Sequence, residues 1–180
     1  VRTLCPNMRV KPSRQVVIHL DTPPAHHDAW TQAPMVLDIH EHGGIYVVPP
    51  VAGTPLKVGD HSFSLKGHPD IDSPPTETET AALFEACRTR FADMDSYTLS
   101  GAKTCFYTVA AEERFVLKRT DKMVVMSGFS GHGFKFGALM GRLAAQVATG
   151  GDEDGALRAL AAGEITEADE IAQITRPCLA

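Results

Sequence analysis

The chain has 180 residues, with 22 acidic and 17 basic side chains and a net charge of −5. Its composition, 43% hydrophobic and 22% charged, is that of a globular domain with a core of its own. The absence of a basic stripe argues against a nucleic-acid-binding protein, and the absence of a long apolar run argues against a membrane protein. The expected location is cytoplasmic, although the lack of a secretory segment at the start of the chain carries no weight in that expectation.

Cysteine and histidine usage gives little support for a metal site or a disulfide framework. The cysteines are far apart and include no Cys-x2-Cys pair, which argues against both; they are Cys5, Cys87, Cys105 and Cys178. A metal site remains an alternative for four histidines, two in a loop and two alternating along a strand: His26, His27, His40 and His42. Because no carboxylates lie at an obvious supporting spacing, we interpret them as surface histidines and predict no metal ion.

The first half of the chain predicts antiparallel strands. Runs rich in β-branched residues indicate strands at 14–20, 35–39, 45–48 and 56–59, with a loop over 23–33. Gly43 and Gly44 form a turn between the second and third strands. Because this connection is too short for a crossover, we expect these two strands to pair as an antiparallel hairpin.

The second half mixes helices with strands. Thr76 is a plausible N-cap, and apolar residues at helical spacing follow it. Because strands outnumber helices and neighbouring strands pair antiparallel, the predicted fold class is α+β. The predicted helices are at 77–94, from Leu139 to Val147 and at 156–162, and the predicted strands are at 103–109, 115–118 and, as a buried strand, at 123–126.

A glycine-rich turn connects the strand at 123–126 to the helix that follows. Its glycines allow positive φ angles and close approach of a ligand. The free N–H groups of the first helical turn favour negative charge, and a lysine adds a full positive charge there. The pattern therefore predicts a site for an anionic group, formed by Gly128, Phe129, Ser130, Gly131, His132, Gly133, Phe134, Lys135 and Phe136.

Two common phosphate motifs do not match this turn. A P-loop needs lysine directly after its second glycine, where this chain has Phe134. A dinucleotide fingerprint needs glycine three residues after Gly133, where this chain has Phe136. An ordinary glycine-rich connection between a strand and a helix remains the alternative interpretation.

The turn resembles the C-terminal flavin-contacting motif of the monomeric sarcosine oxidase and N-methyltryptophan oxidase family. The resemblance extends in the expected order over nearly the whole chain. The segment from Cys105 to Phe115 resembles the family's segment around the cysteine that bonds covalently to flavin. Residues 53–61 resemble the segment that carries the lysine that activates oxygen. Arg14-Gln15-Val16-Val17 and Arg176-Pro177 also match.

The resemblance implies a two-part organisation. Residues 1–120 would form the substrate-binding portion, a mainly antiparallel sheet with flanking helices. Residues 121–180 would supply the last strand and helix of the FAD-binding domain. The family's opening strand, Gly-x-Gly-x-x-Gly and helix are not seen before the match. We therefore expect a C-terminal portion of the family's fold, without the N-terminal Rossmann part, which an upstream segment or a partner chain would supply.

The resemblance also implies an activity, the FAD-dependent oxidation of a secondary amine or N-methyl amino acid, with O2 reduced to hydrogen peroxide. Lys57 would activate oxygen, and Lys135 would pair with the substrate carboxylate and contact the flavin. Cys105 would bind FAD, with covalent attachment as one form of that contact. His61 and His132 would orient substrate or flavin, or serve the structure alone. The remaining predicted cofactor contacts are Gly128, Phe129, Ser130, Gly131 and Gly133.

Several alternatives stay open. Lys57 also fits an exposed edge lysine, and Cys105 fits a small buried apolar residue. The family's strand before the Lys57 segment is rich in tyrosine, whereas here Tyr46 is followed by Val47. A catalytically silent remnant, or a non-catalytic binding subunit of the same fold, is the second hypothesis for function. The sequence does not choose among sarcosine, N-methyltryptophan, pipecolate and other amines.

Overall fold

A computed structural model describes residues 5–38, 44–120, 122–152 and 155–175. The chain divides into two compact units. The first, here called the sheet unit, is Ser13–Phe106, and the second, the turn unit, comprises Val1–Pro12 and Tyr107–Ala180. Each has a hydrophobic core of its own. The assignment of function to 1–120 and 121–180 stays a prediction.

A five-stranded sheet forms the centre of the sheet unit. Its strand order is β2-β3-β4-β1-β5, and each of the pairs β2–β3, β3–β4 and β4–β1 is antiparallel. The α+β class is therefore confirmed, and the predicted antiparallel pairing is present as β2–β3, while Gly43 of the predicted turn lies outside the described residues. The strands are β1 (Val10–Asp21), β2 (Val36–Asp38), β3 (Ile45–Val48), β4 (Leu56–Asp60) and β5 (Thr98–Ala110).

One face of this sheet is buried against a helix. Successive side chains of a strand point to opposite faces, so alternate apolar residues share one side. Here they pack against Leu83 and Cys87 of α2 (Glu77–Arg88). The sheet residues of this core are Ile18, Leu20, Ile45, Val47, Leu56 and Val58. The opposite face carries the polar residues considered below.

Helix α2 begins where the sequence predicts and ends six residues earlier. Thr76 and Glu79 form a reciprocal capping box at its start. Arg14 of β1 donates from Nη1 to Oε1 of Glu79 at 2.5 Å, and this bond is the main reason why the pKa of Glu79 falls to about 2. The helix ends at Arg88 because the chain then turns to pack Phe91 with other aromatic rings, rather than continuing to residue 94.

The predicted loop over 23–33 is wrong. Residues Pro24–Gln32 form helix α1. Proline restricts the chain but is well accepted in the first turn of a helix, where its missing N–H would have no partner. The helix places Trp30 against Phe91, and the Trp30 Nε1 donates to the hydroxyl of Tyr97 at 2.7 Å. Tertiary packing therefore supports a segment whose local sequence suggests a loop.

The turn unit contains a two-stranded antiparallel sheet covered by helices. Leu117 of the sheet packs with residues of the two helices that follow, namely Met140, Leu143, Val147, Leu157 and Ala161. The elements are β6 (Val116–Arg119), β7 (Val124–Ser127), α3 (Gly137–Ala148), α4 (Ala156–Ala161) and α5 (Ala168–Thr175). The prediction of a fully buried strand at 123–126 is wrong, since Met126 is 38% exposed. Among the described helices, none is long and apolar enough to cross a membrane.

Candidate functional site

Lys57 lies on the open face of the five-stranded sheet. It is in β4, between the buried residues Leu56 and Val58, and its own side chain points to the other side. Its partner in register on β1 is His19, and Val48 of β3 lies opposite on the other flank. Since β4 has a neighbour on both sides, the interpretation of Lys57 as an edge lysine does not apply in this fold.

Tyr46 lies beside Lys57 on the same face, and Gly59 makes this position possible. Tyr46 is paired in register with Gly59, and a methyl group added at Gly59 would lie 2.3 Å from the Tyr46 ring. The ring therefore lies directly over the glycine backbone. The ammonium of Lys57 is 5.5 Å from the centre of this ring, a cation–π distance. Val47, which follows Tyr46 in the chain, points into the core instead.

Cys105 joins this group from β5. Its thiol is half-buried and free of disulfide bonds. Burial raises the pKa of the Cys105 thiol, and the positive charge of Lys57 opposes that rise. The lysine charge therefore acts on the thiol across β1, which separates the two strands in the sheet. The two predicted site residues therefore lie on the strands that flank β1, Lys57 on β4 and Cys105 on β5.

His61, the third candidate of the sheet unit, lies just beyond the end of β4. Its backbone N–H donates to the carbonyl of Gly44 at 3.0 Å. At the spacing of an extended strand it is about 13 Å along the chain from Lys57. Its proposed role in orienting substrate or flavin stays a prediction.

The glycine-rich turn of the turn unit is held against the end of β5. Phe129 forms a single β-bridge with Val109, and the Ser130 N–H donates to the carbonyl of Thr108 at 3.0 Å. Ser130 is only 1% exposed and adopts a φ of +47°. Its hydroxyl donates to the Gly128 carbonyl at 3.0 Å and accepts from the Ala110 N–H at 3.2 Å. These bonds stabilise the left-handed conformation at Ser130, whose contact with a cofactor stays a prediction.

Contacts within the chain explain in part why the turn has glycine at three positions, Gly128, Gly131 and Gly133. A methyl group at Gly131, where φ is +81°, would lie 2.8 Å from the Tyr107 ring, and one at Gly133 would lie 2.8 Å from the Phe129 side chain. At Gly128, with φ +72°, it would lie 2.7 Å from the Ala110 methyl group. Close packing therefore requires glycine at these positions whether or not a ligand approaches them.

This explanation leads to a stability prediction. We expect Gly131→Ala to lower the free energy of unfolding of the chain by about 2 kcal/mol, because alanine disfavours this φ and its methyl group meets the Tyr107 ring. Urea unfolding measures the change. The matched control is Gly141→Ala in α3, where nothing lies within 4 Å, and we expect a gain of about 0.5–1 kcal/mol. An unchanged stability of Gly131→Ala would contradict the packing explanation.

Lys135 is exposed, although a phenylalanine flanks it on each side. Phe134 is fully exposed and Phe136 is 42% exposed. The Lys135 Nζ lies 5.5 Å from the centre of the Phe136 ring. A 3-10 turn over Phe134–Phe136 separates the glycines from α3, which begins at Gly137. Lys135 therefore lies one turn before the helix proper, with a cationic group facing solvent.

His132 has an acidic neighbour. Its Nδ1 lies 3.7 Å from Oε2 of Glu113, so the protonated ring would form an ion pair with this carboxylate. Its backbone N–H donates to the carbonyl of Phe129 at 2.7 Å. This backbone hydrogen bond stabilises the turn. The role of the His132 side chain in orienting the cofactor stays a prediction.

The histidines considered as metal ligands have other partners where they are described. His26 Nε2 lies 3.0 Å from Asp93 Oδ2, and His27 Nδ1 lies 3.2 Å from the Thr22 hydroxyl. His40 and His42 lie outside the described residues. Within the ranges that are described, no cluster of three potential ligands occurs.

Sequence reasoning missed His19, Gly59 and Lys103 as members of the open face. His19 is the register partner of Lys57, and the charges of Lys103 and Lys57 both act on its ring. The alternation of apolar and polar residues in β1 and β4 would place His19 and Lys57 on the solvent side of their strands. It would not show that these strands are neighbours, because that depends on pairing between distant segments.

Comparisons with known proteins agree with this fold. A family model described as FAD dependent oxidoreductase matches residues 1–147. Monomeric sarcosine oxidase from a Bacillus species, strain NS-129, is 30% identical over 151 residues, covering 79% of this chain and 38% of the relative. N-methyl-L-tryptophan oxidase from Citrobacter koseri is 26% identical over 166 residues, covering 83% of this chain and 41% of that protein.

Solved structures show the same fold at low identity. Fructosamine oxidase from Aspergillus fumigatus has a TM-score of 0.65 at 17% identity, covering 79% of this chain and 37% of that structure. L-proline dehydrogenase from P. horikoshii has a TM-score of 0.66 at 16% identity, covering 84% of this chain and 40% of that structure. The chain spans about 40% of the length of these relatives. On the family match over residues 1–147, the chain belongs to the FAD dependent oxidoreductase family.

Proposed function

We propose that this chain provides the amine-binding and oxygen-activating part of an FAD-dependent amine oxidase. The reaction is the oxidation of a secondary amine or N-methyl amino acid, with O2 reduced to hydrogen peroxide. The observation that carries the proposal is the open sheet face, where the Lys57 ammonium lies 5.5 Å from the centre of the Tyr46 ring and β5 carries the free, half-buried Cys105 thiol. The FAD-binding remainder is proposed to come from a longer chain or from a partner chain.

The residues present fit a flavin. Bound FAD supplies a two-electron acceptor, which no side chain of the described residues can replace. Cys105 offers a half-buried free thiol as the residue that would hold it. The glycine-rich turn, from Gly128 to Gly133, would add backbone N–H groups and the positive charge of Lys135.

Lys57 is proposed to promote the reaction of oxygen. One-electron transfer to O2 creates a negative charge that is absent from the ground state. A fixed ammonium stabilises that developing charge more than it stabilises neutral O2, and only such a difference accelerates a step. The Tyr46 ring limits the movement of Lys57, since the ammonium lies 5.5 Å from its centre. The side chain is therefore positioned before the reaction begins.

Lys135 is proposed to pair with the carboxylate of an amino-acid substrate. A charge-assisted hydrogen bond of this kind contributes about 1.5–3 kcal/mol when it is shielded from water. At an exposed position an ion pair contributes roughly 0.2–1 kcal/mol. Lys135 is exposed here, so a large contribution requires that bound substrate or cofactor exclude water from its ammonium.

The printed names of the relatives support the choice of substrate class. Monomeric sarcosine oxidase and N-methyl-L-tryptophan oxidase are both named for N-methyl amino acids. For this chain, that class is part of the proposal. The free thiols of Cys5, Cys87 and Cys105 favour the cytoplasm as the place of reaction, because thiols stay reduced there.

Anaerobic flavin reduction tests the proposal. The full-length flavoprotein that contains this chain is mixed with sarcosine, N-methyltryptophan or pipecolate, and the flavin absorbance is followed. We expect at least one secondary amine to bleach it and O2 to restore it with release of hydrogen peroxide. Acetate, which has the carboxylate but no amine, is the control. Reduction by dithionite but by none of the amines would contradict the proposal and favour a non-catalytic binding protein.

A further inference from the structure

A groove lies at one end of the five-stranded sheet, beside the open face. It is formed by the end of β1, the start of β5, helix α1 and the turn between β3 and β4, and it encloses an open cavity of about 690 Å³. We call it the strand-end groove. Lys57 is not part of its lining, but the register partner of Lys57, His19, is. The groove therefore adjoins the residues assigned to oxygen activation.

Lysine and histidine side chains form the polar side of the strand-end groove. Lys103 is exposed on β5, and His19 and His27 line the cavity with it. The hydroxyl of Thr22 lies 3.2 Å from His27 Nδ1, so the ring is oriented and its Nε2 remains for another contact. Asp21, at the end of β1, is the acidic side chain of the lining.

Two lysine charges act on His19. The pKa of His19 is lowered, first by burial and then by the positive charges of Lys103 and Lys57. These ammonium groups come from β5 and β4, the strands on either side of β1. A negatively charged group placed near His19 and Lys103 would be stabilised by both.

The other side of the groove is apolar and rigid. Pro50, Ala52, Pro55 and Leu56 line it. The turn is closed by Thr54, whose hydroxyl donates to the Val51 carbonyl at 2.8 Å and accepts from the Val51 N–H at 3.0 Å. Ala52 and Gly53 adopt φ angles of +50° and +81° within it. A preformed apolar wall of this kind suits a short methylene chain better than a bulky polar group.

We propose that the strand-end groove binds a carboxylate at the end of a short aliphatic chain, so that the amine substrate carries an acidic side chain. The methylene groups lie against the Pro50–Pro55 wall, and the carboxylate faces Lys103 and the two imidazoles. This inference rests on the proposed amine oxidation and specifies its substrate class. Binding of the carboxylate depends on the groove alone. The experiments below can therefore contradict this inference without contradicting amine oxidation.

Histidine NMR of the full-length flavoprotein, recorded without any amine substrate, tests binding in the absence of flavin chemistry. Glutarate, a diacid with three methylene groups, is titrated against glutaramide, its uncharged counterpart. His19→Gln and His27→Gln assign the two ring signals. We expect glutarate to shift both signals with saturation at millimolar concentration and glutaramide to leave them unchanged. Equal shifts by the two compounds, or no saturable shift, would overturn the proposal.

Charge variants identify the residues that are responsible. We expect Lys103→Met to weaken glutarate binding about fivefold, and Asp21→Asn to strengthen it about twofold, since exposed charges act weakly. The matched control is Lys66→Met, another exposed lysine of the sheet unit outside the groove lining, which should not change the affinity. Equal effects of Lys103→Met and Lys66→Met would also overturn the proposal, because they would indicate a nonspecific charge effect.

Kinetics of the full-length flavoprotein separate this inference from the proposed function. If the groove binds the side chain, Lys103→Met raises KM about fivefold for N-methylglutamate and leaves KM for sarcosine unchanged. Turnover of both substrates with no selective effect of Lys103→Met would overturn the groove proposal while amine oxidation stands. Absence of turnover with every amine would overturn amine oxidation, and the NMR titration would still decide the groove.

Discussion

Replacing Lys57 by methionine should slow the reoxidation of reduced flavin by O2 at least about a hundredfold in the full-length protein, the scale of losing one preorganised electrostatic group. Anaerobic reduction by the amine should change by less than about threefold, since the negative charge on oxygen develops only in the oxidative half-reaction. Methionine keeps the length and apolar character of the lysine stem and removes only the ammonium, which lies 5.5 Å from the Tyr46 ring centre. Stopped-flow absorbance measures both half-reactions.

A second lysine of the same unit provides the control for this result. Lys66 is exposed in a loop outside the strands, so Lys66→Met should leave both half-reactions unchanged. Equal slowing of reduction and reoxidation by Lys57→Met would contradict the role of Lys57 in oxygen activation, because it would indicate a general disturbance of the site. Normal reoxidation would show that oxygen reacts elsewhere.

Replacing Cys105 by serine should release the flavin from the polypeptide. In the wild-type protein we expect the flavin to remain with the protein after acid precipitation, as the resemblance of the Cys105 segment to the family's covalent flavin site implies; the thiol is free to react. A serine hydroxyl does not ionise near neutral pH and is a poor nucleophile in its place. Absorbance of the supernatant and the intact mass of the protein measure the outcome.

Cys87 provides the matched control for Cys105. It lies in α2, which packs on the opposite, buried face of the sheet. Burial raises the pKa of the Cys87 thiol to about 11, and the thiol donates a hydrogen bond to the Leu83 carbonyl. Cys87→Ser should therefore retain the covalently bound flavin. Flavin freely removed from the wild-type protein would rule out attachment at Cys105.

The two site residues are linked through the pKa of the thiol. The Lys57 charge lowers the pKa of Cys105 against the effect of burial, so Lys57→Met should move this pKa upward. A smaller fraction of thiolate is then present at neutral pH. Covalent attachment in that variant should consequently be slower and recover at higher pH, whereas a site without this coupling would show the same pH dependence in both proteins.

Short-range pattern in the sequence determined most of the strands and the start of α2. The run Ile-Tyr-Val-Val forms β3 at Ile45–Val48 as predicted, because alternation with a period of two is a local property. Thr76 caps α2 because a capping box needs only residues three apart. The glycine-rich turn is also where the sequence places it, between β7 and a helix.

Tertiary structure alone decided which residues surround Lys57. Its proximity to Cys105, to Tyr46 and to His19 depends on the strand order β3-β4-β1-β5, which pairs segments far apart in the chain. No local pattern contains that information, because backbone pairing within the sheet and packing on α2 set it. The role of Gly59 is visible only once the Tyr46 ring is found above it.

Packing between distant residues also decided two matters that the sequence alone left open or indicated incorrectly. The segment Pro24–Gln32 is helical because Trp30 packs against Phe91 and donates a hydrogen bond to Tyr97. Local helix propensity does not include the stabilisation from these contacts. Gly131 and Gly133 face Tyr107 and Phe129, so their small size serves the packing of this chain. The sequence by itself determined the family motif and most of the strands, whereas only three-dimensional contacts decided that α1 is a helix and that packing requires glycine at Gly131 and Gly133.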